Sequence, residues 1–300
     1  MSSQAEGTFE VDGVSLYTKT WTPSGPTKAR LIFIHGFSEH INRYNDFFPT
    51  LAAAGIQVFG FDQRGWGRSA KDKSDWGLTG PTARVVADVA AFIKHNTTEE
   101  VPVFVMGHSM GGGEICTLMA DEKYTDVVRS VRGWILECPF IGFTKNAEPS
   151  TIKIMLGRLA GMVLPRHQLQ HVVPPEDLSR DQAVVESIRN DPLCHNTGTL
   201  EGLASLLDRT AHLSSGTVKV SKNVKSILLQ HGTGDLTCSF DAAMTWLEQQ
   251  TDVDDKVAKP YEGGYHQLHS DLCKEEFGQD LVAWILERSE GGGRAVEARL

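Results

Sequence analysis

One serine lies in a sequence context that is typical of nucleophilic catalysis. Ser109 is the middle residue of the segment Gly-His-Ser-Met-Gly, which fits a G-x-S-x-G motif. The apolar run Val101–Met106 precedes the motif, and the helix-compatible stretch Gly113–Ala120 follows it. Such a strand–turn–helix lifts the serine hydroxyl above the sheet edge, at a helix N-terminus that favours negative charge. We predict that Ser109 is a nucleophile; the alternative is a glycine-rich turn with an idle serine.

A serine hydroxyl becomes a strong nucleophile only when a histidine takes its proton and an acid orients that histidine. In enzymes with this turn, the acid follows the serine along the chain and the histidine follows the acid. Asp235 lies in the loop after the predicted strand Ser226–Gln230, and His266 lies in the loop after Val257–Tyr261. We predict Ser109, Asp235 and His266 as a catalytic triad, with a plain loop aspartate as the alternative for Asp235.

Four other residues compete for these roles or lie beside them. His269 is the second candidate for the base, but it falls one turn later if a helix begins there. His108 and His231 flank the motifs, and we interpret both as structural residues held by local hydrogen bonds. Asp62 ends a predicted strand but precedes Ser109, so we expect it to hydrogen bond within its own loop, residues 63–67.

Two backbone N–H groups could stabilise the oxyanion that forms when a serine attacks an ester. Loss of one such donor costs an enzyme roughly 3–4 kcal/mol. One donor belongs to the residue after the nucleophile, Met110, and the other to the loop after the first central strand. That loop begins His35-Gly36-Phe37, so we predict the N–H of Phe37 as the second donor. The alternative is that the His-Gly pair only makes a tight connection.

Short strands that alternate with helices predict the fold that must position these residues. The alternation favours an α/β class: a mostly parallel sheet of about eight strands with helices on both faces. We expect an antiparallel hairpin around Asp12-Gly13 at the sheet edge and helices over Ala83–His95 and Glu276–Glu287. The predicted strands are Thr8–Val11, Ser15–Trp21, Arg30–His35, Gln57–Asp62, Val101–Met106, Val131–Glu137, Ser226–Gln230 and Val257–Tyr261.

The region from residue 140 to residue 208 interrupts this alternation. It shows no convincing strand, and prolines divide it into short helical pieces. We interpret 140–208 as a helical cap inserted into a core of residues 1–139 and 209–290, followed by a flexible tail, 291–300. Within the cap, Ile152–Leu164 is unusually apolar. It is either a helix buried on its neighbours or a cap surface that touches lipid.

Composition and charge exclude several classes of protein. The chain has 300 residues, of which 40% are hydrophobic and 22% charged, which excludes a disordered or collagen-like chain. Its net charge of −9, without a Lys/Arg-rich run, disfavours nucleic acid as a partner. The five cysteines form no CxxC pair, so a reducing compartment is expected. No metal or organic cofactor is implied.

No segment of the sequence predicts passage across a membrane. Because the start is polar and no run of about 18 apolar residues occurs, we expect a soluble, cytoplasmic protein. Any attachment to a membrane or lipid-droplet surface should occur through the cap and depend on apolar burial. The last three residues, Ala298-Arg299-Leu300, have the form of a peroxisomal address, with an ordinary terminus as the alternative.

Several motifs together resemble the monoacylglycerol lipase family of α/β-hydrolases. The loop from His35 is His-Gly-x-x-Glu-His-x-x-Arg-Tyr, and the nucleophile turn is Gly-His-Ser-Met-Gly-Gly. Gly-Asp-Leu-Thr-Cys around Asp235 and Tyr-Glu-Gly-Gly-Tyr-His-Gln-Leu-His at 261–269 also match that family. The similarity extends from about Thr8 to Ser289, and the segment Phe61–Gly67 is closer to fungal members.

The resemblance implies an α/β-hydrolase fold and a serine hydrolase that cleaves a monoacylglycerol to a fatty acid and glycerol. It further implies that Glu39, Arg43 and His269 bind the glycerol hydroxyls, directly or through water. The alternative for Glu39 and Arg43 is a simple pair of side chains four residues apart. Ser38 replaces a glycine that is common in this loop, and Cys238 matches a thiol near the family's active site.

Other functions are compatible with the same residues. A different substrate would make the protein a lysophospholipase, another fatty-acid ester hydrolase or an acyltransferase. Dehalogenase and epoxide-hydrolase relatives are disfavoured because they use an aspartate in place of Ser109. A non-catalytic lipid-binding scaffold on this fold is a further alternative, because a fold does not fix a function.

Overall fold

An eight-stranded sheet forms the centre of the protein in a computed structural model that describes residues 2–144 and 158–290. The strands are β1 (Ser3–Val11), β2 (Val14–Thr22), β3 (Ala29–Ile34), β4 (Ile56–Phe61), β5 (Val103–His108), β6 (Gly133–Glu137), β7 (Gln168–Gln170), β8 (Thr197–Thr199), β9 (Ser226–Gly232) and β10 (Asp255–Tyr261). The helices are α1 (Phe48–Ala53), α2 (Thr82–Asn96), α3 (Met110–Ala120), α4 (Thr125–Ser130), α5 (Gln182–Arg189), α6 (Leu200–Ser214), α7 (Phe240–Glu248) and α8 (Lys274–Glu290).

The sheet is mostly parallel, as the sequence predicts. Its strands lie in the order β1-β2-β4-β3-β5-β6-β9-β10. Strand β2 pairs antiparallel with β1 and with β4, whereas the other neighbours pair in parallel. The predicted edge hairpin is confirmed, and its turn residues Asp12 and Gly13 have φ values of 45° and 73°, as a two-residue hairpin turn requires.

Parallel pairing places the chemically important loops at one edge of the sheet. The loops after β3, β5, β9 and β10 all leave from carboxyl ends of parallel strands, which is where α/β sheets bind their ligands. These loops begin at residues 35, 109, 233 and 262. Segments that are far apart in the sequence therefore meet at this edge.

Apolar side chains cover both faces of the sheet. Strand β5 is buried at all six positions, as expected when helices cover a parallel strand on both sides. On one face Ile93 of α2, Leu118 of α3 and Trp246 of α7 pack together. On the other face Phe48 of α1 packs with Leu281 of α8. The two packed layers make the central strands a rigid support for the loops at the carboxyl edge.

The segment between β6 and β9 contains structure that the sequence did not predict. Strands β7 and β8 form a small antiparallel pair, although no strand was expected in 140–208. Each strand has three residues, which is too short to display an alternating pattern. The boundary proposed at residue 208 falls inside α6, whose Leu213 packs into the core.

The apolar stretch Ile152–Leu164 lies partly outside the described residues. Of its described part, residues 158–163 are helical. Leu159, Met162, Val163 and Leu164 are exposed, so in this part the interpretation as a buried helix is wrong. Within the described ranges, no helix is both long and apolar enough to cross a membrane.

Three side-chain contacts are among those that attach the inserted segment to the loops of the core. Two are charged hydrogen bonds and one is an aromatic stack with nearly parallel rings. They join Arg180 to Asp271 (2.9 Å), His40 to Asp191 (2.9 Å), and His195 to Trp66 and Trp76 on its two faces, with centroids 5.0 and 4.6 Å away.

Asp62, which follows β4, joins two loops of the core. Its carboxylate accepts from the N–H of Arg68 and from the N–H of Ile41, each at 2.7 Å, and the side chain is fully buried. The sequence predicted a bond within residues 63–67; the partner in that loop is one residue later, and the bond to Ile41 was not predicted. Asp62 thus fixes the loop that follows β3.

We expect Asp62→Ala to lower the free energy of unfolding by about 2–4 kcal/mol, because two buried N–H groups lose their acceptor. Urea unfolding of the purified variant measures the loss. Asp126→Ala is the matched control, because that side chain is 99% exposed and its removal should cost less than about 0.5 kcal/mol. If both variants lost the same free energy of unfolding, the carboxylate of Asp62 would not have the stabilising role described above.

Candidate active site

Ser109 lies at a sharp turn between β5 and α3. Its φ and ψ are 54° and −117°, a strained conformation for a serine. Close packing imposes it: a Cβ on Gly107 would lie 2.5 Å from the carbonyl oxygen of Gly111, and a Cβ on Gly111 would lie 2.3 Å from that of Ile34. Glycine is therefore required on both sides of Ser109, which lies at the N-terminus of α3 as the motif predicts.

Asp235 and His266 form a buried pair after the neighbouring strands β9 and β10. Nδ1 of His266 donates to Oδ2 of Asp235 at 2.8 Å, and the N–H groups of Thr237 and Cys238 donate to Oδ1 at 2.7 and 2.9 Å. Burial opposes ionisation of Asp235, but the charge and hydrogen bond of His266 outweigh it and lower the pKa of the carboxyl group. Because Nδ1 faces Asp235, Nε2 of His266 is the atom that can accept a proton.

Cys238 contacts both this pair and Ser109. Burial and the charge of Asp235 raise the pKa of the Cys238 thiol, although a hydrogen bond with Ser109 opposes the rise. The rings of His108 and His266 have centroids 4.8 Å apart, so the residue before Ser109 also contacts the histidine loop. Cys238 and His108 thus link the turn that holds Ser109 to the Asp235–His266 pair, and the roles of these three residues as a triad stay a prediction.

The loop that follows β3 lies against Ser109. A Cβ on Gly36 would be 3.1 Å from Cβ of Ser109 and 2.7 Å from Oε2 of Glu39, so a side chain does not fit there. The N–H groups of Phe37 and Met110 donate to no acceptor within residues 2–144 and 158–290. Two donors beside the serine therefore remain available, as the predicted oxyanion hole requires.

His35 orients the first of these donors. Its Nε2 accepts from the N–H of Gln63 at 2.8 Å, so Nδ1 carries the hydrogen that donates to the carbonyl oxygen of Gly36 at 2.8 Å. In a planar trans peptide the C=O of Gly36 and the N–H of Phe37 point in opposite directions. The bond to His35 therefore fixes the direction of the Phe37 N–H.

Glu39 joins three loops with one carboxylate. Its partners lie in the loop after β3, in the nucleophile turn and in the histidine loop. The acceptor Oε2 bonds to Gly36 N–H (2.8 Å), Tyr44 OH (3.0 Å) and His108 Nδ1 (3.0 Å), and Oε1 bonds to Gln267 Nε2 (2.6 Å). Binding of glycerol by Glu39 stays a prediction, and the geometry favours a positioning role because the carboxylate is already occupied.

His108 is surrounded by opposite charge. Burial disfavours the charged ring, but Glu39 and Glu137 outweigh this effect and raise the pKa of His108 to about 9. The prediction that His108 is held by local hydrogen bonds is wrong, because its partner Glu39 is 69 residues away. His231, in contrast, has a local partner, the carbonyl oxygen of Gly232 at 3.1 Å.

Arg43 and His269 line a cavity of about 950 Å³ with both polar and apolar walls, between α5, α8 and the loop after β3. Nη1 of Arg43 donates to Oγ of Ser187 at 2.8 Å and lies 3.5 Å from Oδ2 of Asp191. Arg43 therefore contacts α5 and its C-terminal end, and the alternative in which it pairs with Glu39 is wrong. A cavity of this kind could receive a small polyol; the glycerol roles of Arg43 and His269 stay predictions.

Three groups of His, Cys and carboxylate side chains in the described ranges are close enough to hold a cation. In each group a carboxylate already bonds to a histidine, at 2.9, 2.7 and 2.8 Å respectively. Hydrogen bonding therefore accounts for the arrangement, and we assign no metal to these residues. The groups are His40–Asp191–Cys194, His108–Glu137–His269 and Cys138–Asp235–His266.

Sequence reasoning missed three residues that shape this site, Tyr44, Glu137 and Gln267, and it missed the charged state of His108. Each acts through a partner in another loop, such as Glu137, whose Oε1 accepts from Nδ1 of His269 at 2.7 Å. The only signal available was the position of these residues at the ends of strands or in the matched motifs. Their pairing could not be read from spacing.

Comparisons with known proteins identify the family of this chain. The Hydrolase_4 family model, described as serine aminopeptidase, S33, matches residues 25–272. The monoglyceride lipase of Rattus norvegicus is 32% identical over 289 residues, which are 92% of this chain and 88% of the relative. A relative from Schizosaccharomyces pombe that is named for the same activity is 33% identical. That match covers 92% of this chain and 72% of the relative. The similarity to the fungal relative is therefore only slightly higher than the similarity to the rat enzyme.

A solved structure supports the fold. The structure of a soluble variant of monoglyceride lipase from Saccharomyces cerevisiae, in complex with a substrate analog, matches with a TM-score of 0.84. The match covers 96% of this chain and 97% of that chain at 21% identity. At this identity the likeness shows a common fold, including the mostly parallel sheet with helices on both faces.

The buried charges around His108 predict a pH dependence of stability. His108 has a pKa of about 9 in the folded state and about 6.5 when unfolded. Because the folded state binds the proton more tightly, the stabilisation is complete below pH 6.5 and is lost as the pH rises through 9. We expect the difference in unfolding free energy between the wild type and His108→Gln to shrink by up to about 3 kcal/mol from pH 6 to pH 9.5.

Urea unfolding at pH 6, 7.5 and 9.5 measures this difference. His212→Gln is the matched control, because His212 is exposed on α6 and its substitution should have little effect at any of these pH values. A difference for His108→Gln that stays constant with pH would show that the ring is neutral in the folded protein.

Proposed function

Because the chain belongs to the Hydrolase_4 family and to the monoglyceride lipases within it, we propose that it hydrolyses monoacylglycerols to a fatty acid and glycerol. The observation that carries this proposal is the buried Asp235–His266 pair, with a 2.8 Å hydrogen bond, beside a serine held in a strained turn. This is the arrangement that nucleophilic catalysis by serine requires.

Acylation follows from the proposed roles of these residues. Oγ of Ser109 attacks the ester carbonyl carbon while Nε2 of His266 accepts its proton. The N–H groups of Phe37 and Met110 stabilise the tetrahedral oxyanion, and Asp235 stabilises the imidazolium. His266 then returns the proton to the glycerol oxygen as the ester C–O bond breaks. Glycerol leaves, and the acyl group stays on Ser109.

Deacylation repeats the sequence with water. His266 accepts a proton from a water molecule, whose oxygen attacks the acyl carbonyl carbon in the same oxyanion hole. The proton passes to Oγ of Ser109 as the acyl-enzyme bond breaks. The fatty acid leaves, and the serine is restored. No cofactor takes part in this proposal.

The glycerol end is proposed to lie on the side of the site where Arg43 and His269 face the cavity between α5 and α8. Besides apolar side chains, the cavity is lined by Asp46, Asp181, Asp191 and Glu275 as well as Arg43 and Lys274, and this excess of carboxylates suits a neutral polyol better than an anionic headgroup. This favours monoacylglycerols over lysophospholipids among the alternatives with the same chemistry. Glu39 would affect the alcohol end through the loop that it holds, because its oxygens already have partners within the protein.

A substrate panel tests the proposal. We expect turnover of 1- and 2-monoacylglycerols to exceed turnover of lysophosphatidylcholine and of aminoacyl nitroanilides, which would report the peptidase activity in the family description. Ser109→Ala should lower kcat at least about 10³-fold and abolish labelling by a fluorophosphonate. Ser214→Ala, on the exposed end of α6, is the control. Full activity of Ser109→Ala would refute the mechanism.

An apolar patch suggests how the protein reaches a lipid substrate. The patch comprises Leu159, Met162, Val163, Leu164, Leu169 and Val172, all exposed, with Met162 at 81% and Val163 at 78%. Contiguous exposed apolar residues mark interaction surfaces more often than chance exposure. We propose that the patch inserts its side chains into a membrane or lipid-droplet surface, without spanning it.

We expect Met162→Gln/Val163→Gln to weaken binding to phosphatidylcholine vesicles several-fold, because two apolar side chains no longer leave water. Turnover of a short nitrophenyl ester should stay unchanged, since neither residue touches the site. Leu272→Gln is the matched control: this leucine is 65% exposed but lies outside the patch. Vesicle sedimentation measures binding, and equal binding of all variants would exclude the patch.

A further inference from the structure

Ser38 has a conformation that its own backbone does not favour. Its φ is 56°, in the left-handed region where glycine has no steric cost. The side chain is buried, at 6% exposure, and its Oγ accepts from the N–H of Asn196 at 2.8 Å. The resemblance leads us to expect glycine at this position, and glycine would adopt this conformation without strain. Serine is strained here, but it makes one hydrogen bond to the inserted segment that glycine could not make.

Asn196 extends this contact further into the inserted segment. It has a φ of 51°, and its carbonyl oxygen accepts from the N–H of His171 at 2.7 Å. The ring of His171 has its centroid 5.8 Å from that of Phe37, in an edge-to-face arrangement. A chain of two hydrogen bonds therefore runs from His171, beside the apolar patch, through Asn196 to Ser38.

The residue next to Ser38 is Phe37, whose N–H is the proposed oxyanion donor. His35 fixes this donor from the core side. On the other side, the His171 ring packs against the Phe37 ring, and the Ser38–Asn196 bond is the hydrogen bond to the inserted segment that lies nearest to Phe37 along the loop, since His40 and Arg43 bond to that segment farther on. A donor aimed at an oxyanion must be held within a few tenths of an ångström.

We propose that Ser38 is a positioning residue that couples the inserted segment to the oxyanion hole. The hydroxyl group holds the Phe37–Ser38 turn against Asn196 and thereby keeps the Phe37 N–H directed at the substrate oxygen. This inference rests on the proposed role of Phe37. It concerns one hydrogen bond that a glycine at this position could not make.

Ser38→Gly removes this bond together with Cβ, and glycine accepts the backbone conformation without strain. We expect kcat for a nitrophenyl ester and for a monoacylglycerol to fall about three- to tenfold, with KM changed less than twofold. The affinity for a trifluoromethyl ketone, whose adduct carries the oxyanion, should fall in parallel with kcat/KM. Ser38→Ala keeps the backbone strain and loses only the hydroxyl, so it should show the same fall in kcat with little change in KM.

Two other variants serve as comparisons. Ser24→Gly makes the same substitution in an exposed turn and should leave kinetics unchanged. Asn196→Gly keeps the backbone N–H that donates to Ser38, so it should stay closer to the wild type than Ser38→Gly. A loss in Asn196→Gly as large as in Ser38→Gly, or an unchanged kcat in Ser38→Gly, would overturn the proposal.

Amide hydrogen exchange keeps the test independent of the substrate. Exchange at residues 36–40 should be faster in Ser38→Gly than in the wild type, and unchanged in Ser24→Gly. Unchanged exchange in Ser38→Gly overturns the proposal even if the protein has no esterase activity. A wild type that cleaves nitrophenyl esters but no monoacylglycerol would refute the proposed substrate alone, since the nitrophenyl kinetics still report on Ser38.

Discussion

The carboxylate of Glu39 is the interaction on which the arrangement of the site depends. It accepts hydrogen bonds from the loop after β3, from the nucleophile turn and from the histidine loop. Each of these loops leaves a different parallel strand and would otherwise be fixed at one end only. A single ionised group with four donors holds them in one geometry, because each charge-assisted bond has a preferred distance and direction.

Burying such a charge is unfavourable unless its surroundings compensate for the lost water. Here burial opposes ionisation of both carboxyl groups, but His108 lowers the pKa of Glu39, and His269 followed by His108 lowers that of Glu137. Because the ring of His108 also packs against that of His266, this charged layer lies directly behind the residues proposed to do the chemistry. The layer gives the site rigidity, and Glu39 in the loop after β3 contributes to it through its four hydrogen bonds.

The inserted segment has two kinds of surface. One side bonds to the core through Arg180, Asp191, Asn196 and the His195 stack, and thereby contacts both the loop after β3 and the histidine loop. The other side exposes the apolar patch. A segment built this way can face lipid without loosening the site, since different residues carry out the two tasks.

The sequence by itself determined the parallel sheet, the serine turn and the order of serine, aspartate and histidine, because these follow from local patterns of apolar residues, glycines and motif spacing. It did not determine β7 and β8, which are too short to show a period, or the exposure of Met162 and Val163. Nor could it give the partners of Glu39, His108 and Ser38. Apart from Gly36 and Tyr44, which are close to Glu39 in the sequence, those partners lie 69 to 228 residues away. Only the convergence of loops at the carboxyl edge of the sheet brings them within hydrogen-bond distance.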